Sequence, residues 1–243
     1  MFNEIVYRPL YNLLIGIIDV MPWLDVGLAV ILFTALVKTV LFPLSKSALL
    51  AQVRMKSVEP EAAKIRAQYA SDKQLQAQKT MELYKERGIK PFSGMLLLII
   101  QLPILFALIS VFYKLFPTVD ATALYGFIAV PALKTTFLGF VDLTKPSIVI
   151  ALLTAIVQFL QLKYSLAAQQ AAQPSTTGGG TAALANSMTS QMKYLVPVIA
   201  FASIYWIIPA RFPEASSVIG LYWMTSSLMT FFQELYIRKK HLK

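Results

Sequence analysis

The chain has no cysteine and a single histidine, His241, close to its end. Disulfides, thiolate metal sites, cysteine nucleophiles and a lipid-modified cysteine are thereby excluded. One terminal histidine assembles neither a metal pair nor a serine–histidine relay. Charge is thin as well: 14% of residues are charged and only 12 are acidic, against roughly a quarter charged in soluble domains. In the long apolar stretches the only acids are Asp25 at one edge and Glu234 at another, too far apart for an intramembrane aspartyl dyad. Gly178-Gly-Gly-Thr181 has neither a lysine nor a preceding strand, so it is no phosphate loop. The chain is not expected to be an enzyme, and neither a cofactor nor a metal is expected. Its start, Met1 to Pro9, mixes acid and base without a small-residue cleavage site, and no removable signal peptide is expected.

What is present is hydrophobic length. The chain is 57% hydrophobic, with a mean hydropathy of +0.62. Five stretches, 24–44, 94–116, 147–163, 194–210 and 215–237, approach or reach the length of about 17–25 residues that a crossing helix needs. Continuous runs of this kind predict helices, because lipid offers no partner to an open strand edge. The expected fold is an all-α polytopic membrane protein with five spans. Of the 22 Lys and Arg, ten fall in 46–91, two in 163–193 and four from Arg238 onward, whereas the other connections hold Arg8, Lys134, Lys145 and Arg211. The positive-inside rule places the N-terminus outside and the C-terminus in the cytoplasm. The excess positive charge suits anionic headgroups at the cytoplasmic face.

The connections have separate characters. Residues 1–23 hold an external amphipathic helix, apolar at Ile5, Tyr7, Leu10, Leu13, Leu14, Ile17 and Ile18, with Asn12 and Asp19 on its polar side. Segment 45–93 is expected to be a cytoplasmic helical hairpin. Val58, Ala62, Ile65 and Tyr69 form one apolar stripe and Ala77, Met81 and Tyr84 a second. Ser71-Asp72-Lys-Gln74 reads as a capping box between them, and Pro60 fits a first helical turn. Gly88 and Pro91 stop the second helix. An external connection, 117–146, is expected to lie against the membrane. Residues 164–193 read as a flexible cytoplasmic loop, 211–214 as an external turn and 238–243 as a cytoplasmic tail.

Polar residues within the spans are one-sided. Thr34 and Lys38 share a face in the first span, Gln101 precedes Pro103 in the second, and Thr154, Gln158 and Gln161 line one side of the third. Trp223, Ser226, Thr230 and Gln233 do the same in the fifth. Taken singly, such stripes suit ordinary interhelical hydrogen bonding. Together they are what a bundle needs to line a shared hydrophilic recess. Lys38 is the sharpest of these signals, because a lysine at that depth costs about 2.5–3.5 kcal/mol on insertion scales. Snorkelling toward the cytosol is opposed by the tilt of helical side chains toward the outward-facing helix N-terminus. An inward-facing charge is the reading adopted.

Motifs in order along the chain resemble one family. Val37-Lys-Thr-Val-Leu-Phe-Pro-Leu44, Met55-Lys-Ser-Val-Glu-Pro60, Asp72-Lys-Gln, Leu83-Tyr-Lys and Pro91 are followed by Gln101-Leu-Pro-Ile-Leu-Phe-Ala-Leu108. Phe159-Leu-Gln161, Met192-Lys-Tyr-Leu-Val-Pro197 and Gly220-Leu-Tyr-Trp223 complete the set. The chain resembles the YidC insertases and their mitochondrial Oxa and chloroplast Alb relatives. That resemblance implies five helices around a groove open to the cytosol and lipid, with an essential cytoplasmic hairpin. It implies insertion of nascent membrane proteins into the bacterial cytoplasmic membrane, without nucleotide hydrolysis and alone or beside the Sec translocon. The ribosome and the signal recognition particle pathway are further candidate partners. Direct nucleic-acid binding is not expected, and one copy suffices.

In the resemblance, the family's groove charge falls on Lys38, its groove glutamine on Gln161 and its fifth-span tryptophan on Trp223. Lysine stands where arginine is usual, keeping the charge but losing the forked donor set. The segment Phe212 to Ile219 is longer than the usual turn before the last span, and the large external domain of some bacterial members is not expected. A small solute transporter or channel is the alternative, for which Lys38 and the glutamines would be ligands; five unequal spans show no internal repeat in its favour. A structural scaffold would leave Lys38 neutral to function.

Overall fold

The computed structural model describes residues 2–90, 93–116, 118–170 and 179–241. It is mostly helical. A π turn, Asn3–Tyr7, runs into α1 (Arg8–Val20), followed by α2 (Val26–Val40) and α3 (Phe42–Ser57). Next come α4 (Glu59–Gln68), α5 (Lys73–Glu86) and α6 (Ser93–Leu115). The connection after α6 holds a short 3-10 turn and a two-stranded hairpin, β1 (Thr136–Phe137) and β2 (Val141–Asp142). Then α7 (Ile148–Gln170), α8 (Gly179–Ala202), a π turn (Ser203–Ile207) and α9 (Ser216–His241) complete the fold.

Helix α9 packs against both α2 and α7, and α7 also carries α8. Helices α1 and α6 close the other side, with α3 along α6. The largest core sits at the end bearing the 118–146 connection. It joins Tyr11, Leu14, Ile15 and Ile18 of α1 to Phe33 of α2, Leu108 and Phe112 of α6, and Val218 and Tyr222 of α9. Phe112 stands edge-on to Phe33 at 6.5 Å and lies 5.6 Å from Tyr222. In lipid such contacts stabilise by packing rather than by release of water.

The bundle's outer surface is unlike that of a protein covered by water. Helix α7 exposes Ile148, Val149, Leu152, Leu153, Ile156 and Leu160, and α8 exposes Tyr194, Leu195, Val198 and Ile199. Apolar patches on that scale mark a surface covered by another apolar phase. Among the described residues one helix, over Ile148–Ser165, is by itself long and apolar enough to cross a membrane. Helices α2 and α3 qualify as a second crossing when taken together across their 56° bend.

Several local features differ from the sequence reading. Asn12, assigned to the polar side of α1, is buried: its amide donates to Arg8 O and Ala123 O and accepts from Tyr125 N. It staples α1 to the connection, while Ile5 and Leu13 of the expected apolar face are exposed. Asp25 caps α2 by accepting from Leu28 N at 2.9 Å and also receives Leu138 N, so one carboxylate holds both the helix and the connection.

In the hairpin, Asp72 rather than Ser71 is the cap, accepting from Gln74 N and Leu75 N. Both amides go to the same carboxylate oxygen, which carries the negative charge favoured at a helix N-terminus. Pro60 lies in the first turn of α4, where its missing N–H costs nothing. Val58, Ala62, Leu83, Tyr84 and Ile89 form the small core, whereas Ala77 and Met81 are exposed. The second apolar stripe is therefore Leu83–Tyr84. Gly88 turns the chain out at φ +62°, and Pro91 lies outside the described residues. Helices α7 and α8 also reach well into the segment read as a loop, of which 171–178 lie outside the described residues.

One close approach sets how tightly α9 can seat. A β-carbon on Gly220 would stand 2.8 Å from Ile150 Cγ2 and 3.0 Å from Ile204 Cγ2. The adjoining Gly220 carbonyl accepts the Thr154 hydroxyl at 3.1 Å. Replacing Gly220 by valine is expected to lower stability by about 1–3 kcal/mol through overpacking, despite the better helix propensity of valine. Thermal melting in detergent checks this, and Ile204→Ala in the same chain should restore part of the loss.

Candidate functional site

The site begins where α2 ends. A helix leaves its last four carbonyls without intrahelical partners, and Lys38 belongs to that last turn, just before the bend into α3. Gln233 of α9 supplies the missing donor: its Nε2 donates to the Lys38 carbonyl at 3.0 Å. One turn earlier on α9, Thr230 receives the Lys38 ammonium, Nζ to Oγ1 at 3.1 Å. The Thr230 hydroxyl spends its own proton on Ser226 O at 2.8 Å. Lys38 is thus held by backbone and side chain to a single face of α9.

No carboxylate among the described residues pairs with Lys38. The acid nearest in sequence to its α9 contacts, Glu234, is buried and bound by Arg238 at 2.6 and 2.9 Å. An ammonium can donate three hydrogen bonds, and Lys38 spends one of them on Thr230.

The other sequence-predicted residues fall into three settings. Thr34 is fully buried and donates to Val30 O at 2.6 Å. Thr154 is equally buried and is shared between Ile150 O and Gly220 O, where it joins α7 to α9. Gln158, a turn further along α7, is 7% exposed, and its Oε1 finds no hydrogen-bond partner. Gln161 opens into a cleft of about 380 Å3 between α7 and α9, among Leu160, Tyr164, Leu228 and Phe231. Trp223 and Ser226 are half-buried on α9. The side chain of Gln101 lies outside the described residues. Of the hairpin residues, Tyr84 is buried and Asp72 is the cap described above.

Along α7 the polar groups pass from sealed to accessible in the order Thr154, Gln158, Gln161. Along α9 the stripe Trp223, Ser226, Thr230 and Gln233 is half-buried throughout, while Ser217, Thr225, Ser227 and Glu234 are buried. The α7 gradient runs toward the end of the bundle where Lys38 sits and from which the α4–α5 hairpin departs. The arrangement can solvate polar peptide and attract carboxylate; it presents no nucleophile–base pair for bond cleavage.

Three structural residues were missed by the sequence reading. The Glu234–Arg238 pair carries the i, i+4 spacing that could have revealed it. Gly220 was quoted only as part of a motif.

The profile of a family described as 60Kd inner membrane protein matches residues 18–243. A membrane protein insertase YidC of Fusobacterium nucleatum is 33% identical over 214 residues, covering 88% of this chain and 86% of the relative. Proteins of the same name from Cereibacter sphaeroides and Francisella philomiragia are 29% and 27% identical over 93% and 88% of this chain. This chain spans about a third of their length, 35% and 33% respectively. The chain belongs to the 60Kd inner membrane protein family.

The Glu234–Arg238 pair yields a stability test. Removing one partner of a buried ion pair leaves the other charge stranded, at a cost of about 3 kcal/mol. Glu234→Leu is expected to melt well below the parent protein in detergent. Replacing both residues by methionine should recover most of the loss, because no charge then remains buried.

Proposed function

We propose that this chain is a membrane protein insertase of the bacterial inner membrane. It receives nascent membrane proteins at a hydrated recess between α2, α7 and α9, with Lys38 as the recess charge. Family membership supports the activity. One observation carries the mechanism: a half-buried ammonium, with no carboxylate partner among the described residues, sits against the half-buried polar stripe of α9.

The barrier to insertion is moving a client's polar segment across hydrocarbon. A wet recess shortens that path and spares part of the desolvation that unsatisfied polar groups would suffer. The unspent donors of Lys38 attract acidic residues in the entering segment. Thr230 keeps the ammonium directed at α9, and Gln233 holds the helix end beneath it. The client's apolar span then leaves along the exposed faces of α7 and α8 into lipid, gaining about 0.8 kcal/mol per buried CH2. Burial of that span drives the reaction, so neither nucleotide nor cofactor is needed.

In this reading the chain crosses the membrane five times, by α2, α6, α7, α8 with its π turn, and α9. The N-terminal helix lies outside, and the basic α4–α5 hairpin meets clients at the cytosolic mouth. The protein works as a single copy, alone or beside the Sec translocon, with ribosomes or the signal recognition particle pathway delivering clients. Lys38→Arg is expected to support growth of insertase-depleted cells and Lys38→Leu to abolish it. Purified protein in liposomes should insert a small single-span client without ATP, and Lys38→Leu should fail there too. Full activity of Lys38→Leu in both assays would remove the charge from the mechanism.

A further inference from the structure

A second polar site lies at the opposite end of the bundle from Lys38, beside the 118–146 connection. It is a pocket of about 170 Å3 whose wall includes Glu4, Tyr7, Arg8, Lys114, Asp120 and Thr122. Two elements that meet nowhere in sequence build it: the first turns of the N-terminal helix, and the last turn of α6 with the residues that follow. Its walls carry both signs of charge in equal number, Arg8 and Lys114 against Glu4 and Asp120.

The charges differ in what they have left to offer. Arg8 is committed, bonding Glu4 Oε2 at 3.1 Å and the carbonyls of Ala123 and Leu124. Asp120 Oδ1 is taken by the amide and hydroxyl of Thr122. These bonds, the Thr122 hydroxyl first among them, hold its carboxyl below the usual range, so it stays ionised. Lys114 is different. Its ammonium rests over the Tyr7 ring, 5.2 Å from the centroid, and forms a loose ion pair with Asp120 Oδ2 at 3.8 Å, too long for a hydrogen bond, so its N–H donors stay available. Tyr7 is 3% exposed, yet its hydroxyl has no hydrogen-bond partner. Burial above all holds that hydroxyl in its neutral, proton-bearing form.

A buried hydroxyl without a partner costs stability unless something completes it. A simple anion would meet Lys114 but also two carboxylates, and a simple cation would meet Arg8 and Lys114. A zwitterion satisfies both signs. The volume corresponds to roughly six waters of liquid, the scale of a phosphoethanolamine group. The surroundings are lipid-facing: Phe2 and Ile5 are exposed on the same helical turns, and Phe106, Ile109 and Tyr113 are exposed along α6 up to Lys114.

We infer that this pocket binds the headgroup of an amine-bearing phospholipid, its phosphate against Lys114 and its ammonium toward the Glu4 and Asp120 carboxylates. The lipid tethers the N-terminal helix to α6 at the membrane surface, and the site stands whether or not Lys38 acts in insertion.

The test is native mass spectrometry of the delipidated protein in detergent. It is offered phosphatidylethanolamine, phosphatidylcholine or phosphatidylglycerol of identical acyl chains. Phosphatidylethanolamine is expected to be retained most, since a quaternary ammonium donates no hydrogen bond and a glycerol headgroup carries no positive charge. Lys114→Ala should weaken its retention about tenfold, as loss of a charge-assisted hydrogen bond does. Tyr7→Phe, which keeps the ring, should weaken it measurably, and Lys134→Ala outside the pocket should leave it unchanged. Equal retention of the three lipids, or undiminished retention by Lys114→Ala and Tyr7→Phe, would overturn the proposal. Displacement of the lipid by soluble glycerophosphoethanolamine at equal concentration would also overturn it, because the site would then recognise a free phosphate ester.

Discussion

The hydrogen bond from Lys38 to Thr230 is the contact around which the candidate site is organised. It ties the charged last turn of α2 to α9, and it does so with a neutral acceptor. A carboxylate in that place would have balanced the charge and closed the site as an internal ion pair. A hydroxyl fixes the ammonium's position while leaving its field unopposed. The same chain shows the contrasting solution four residues along α9, where Glu234 and Arg238 bury each other. One pair of charges is spent on structure, and one charge is held in reserve.

That reserve is possible because the rest of α9 is packed firmly. Gly220 lets α9 approach Ile150 of α7 and Ile204 in the π turn, and Thr154 bridges the contact. At the far end, Asn12 and Asp25 use their side chains to bind the connection to α1 and α2. The closed end is thus held by buried side-chain bonds to backbone, while polar groups at the other end become accessible. In the proposed mechanism, an opening at that end would give a polar segment a place to wait, and the exposed apolar faces would give an apolar one a route sideways. The bend between α2 and α3 follows Lys38 within a turn, and α3 then connects the helix that carries it to the α4–α5 hairpin.

Much of this was written in hydrophobic periodicity. Long apolar runs locate helices because lipid leaves few alternatives, and Lys38 is conspicuous because charge at that depth is expensive. The one-sided stripes on α7 and α9 were legible for the same reason. What escaped were features decided by tertiary contact. Asn12 looks like a surface residue of an amphipathic helix until the connection folds over it. Leu83 replaced Met81 in the hairpin core because the angle between α4 and α5, which no local spacing encodes, chose the inward face. Thr34 and Thr154 share the polarity of the recess residues, yet packing seals them. The pairing of the N-terminal helix with the last turn of α6 joins residues over a hundred positions apart, Tyr7 with Lys114, and no motif announces it.

The central claim is that water reaches Lys38 from the hairpin end. Because the chain has no cysteine, single cysteines report cleanly on access. Ser226→Cys, Gln161→Cys and, as a lipid-facing control, Leu153→Cys can be treated in inverted membrane vesicles with a charged, impermeant thiol reagent. Labelling at 226 and 161, reduced when a client is stalled in the protein, is expected, with none at 153. Failure to label 226 and 161 from that side, or labelling only from the opposite side, would contradict a recess open to the cytosol.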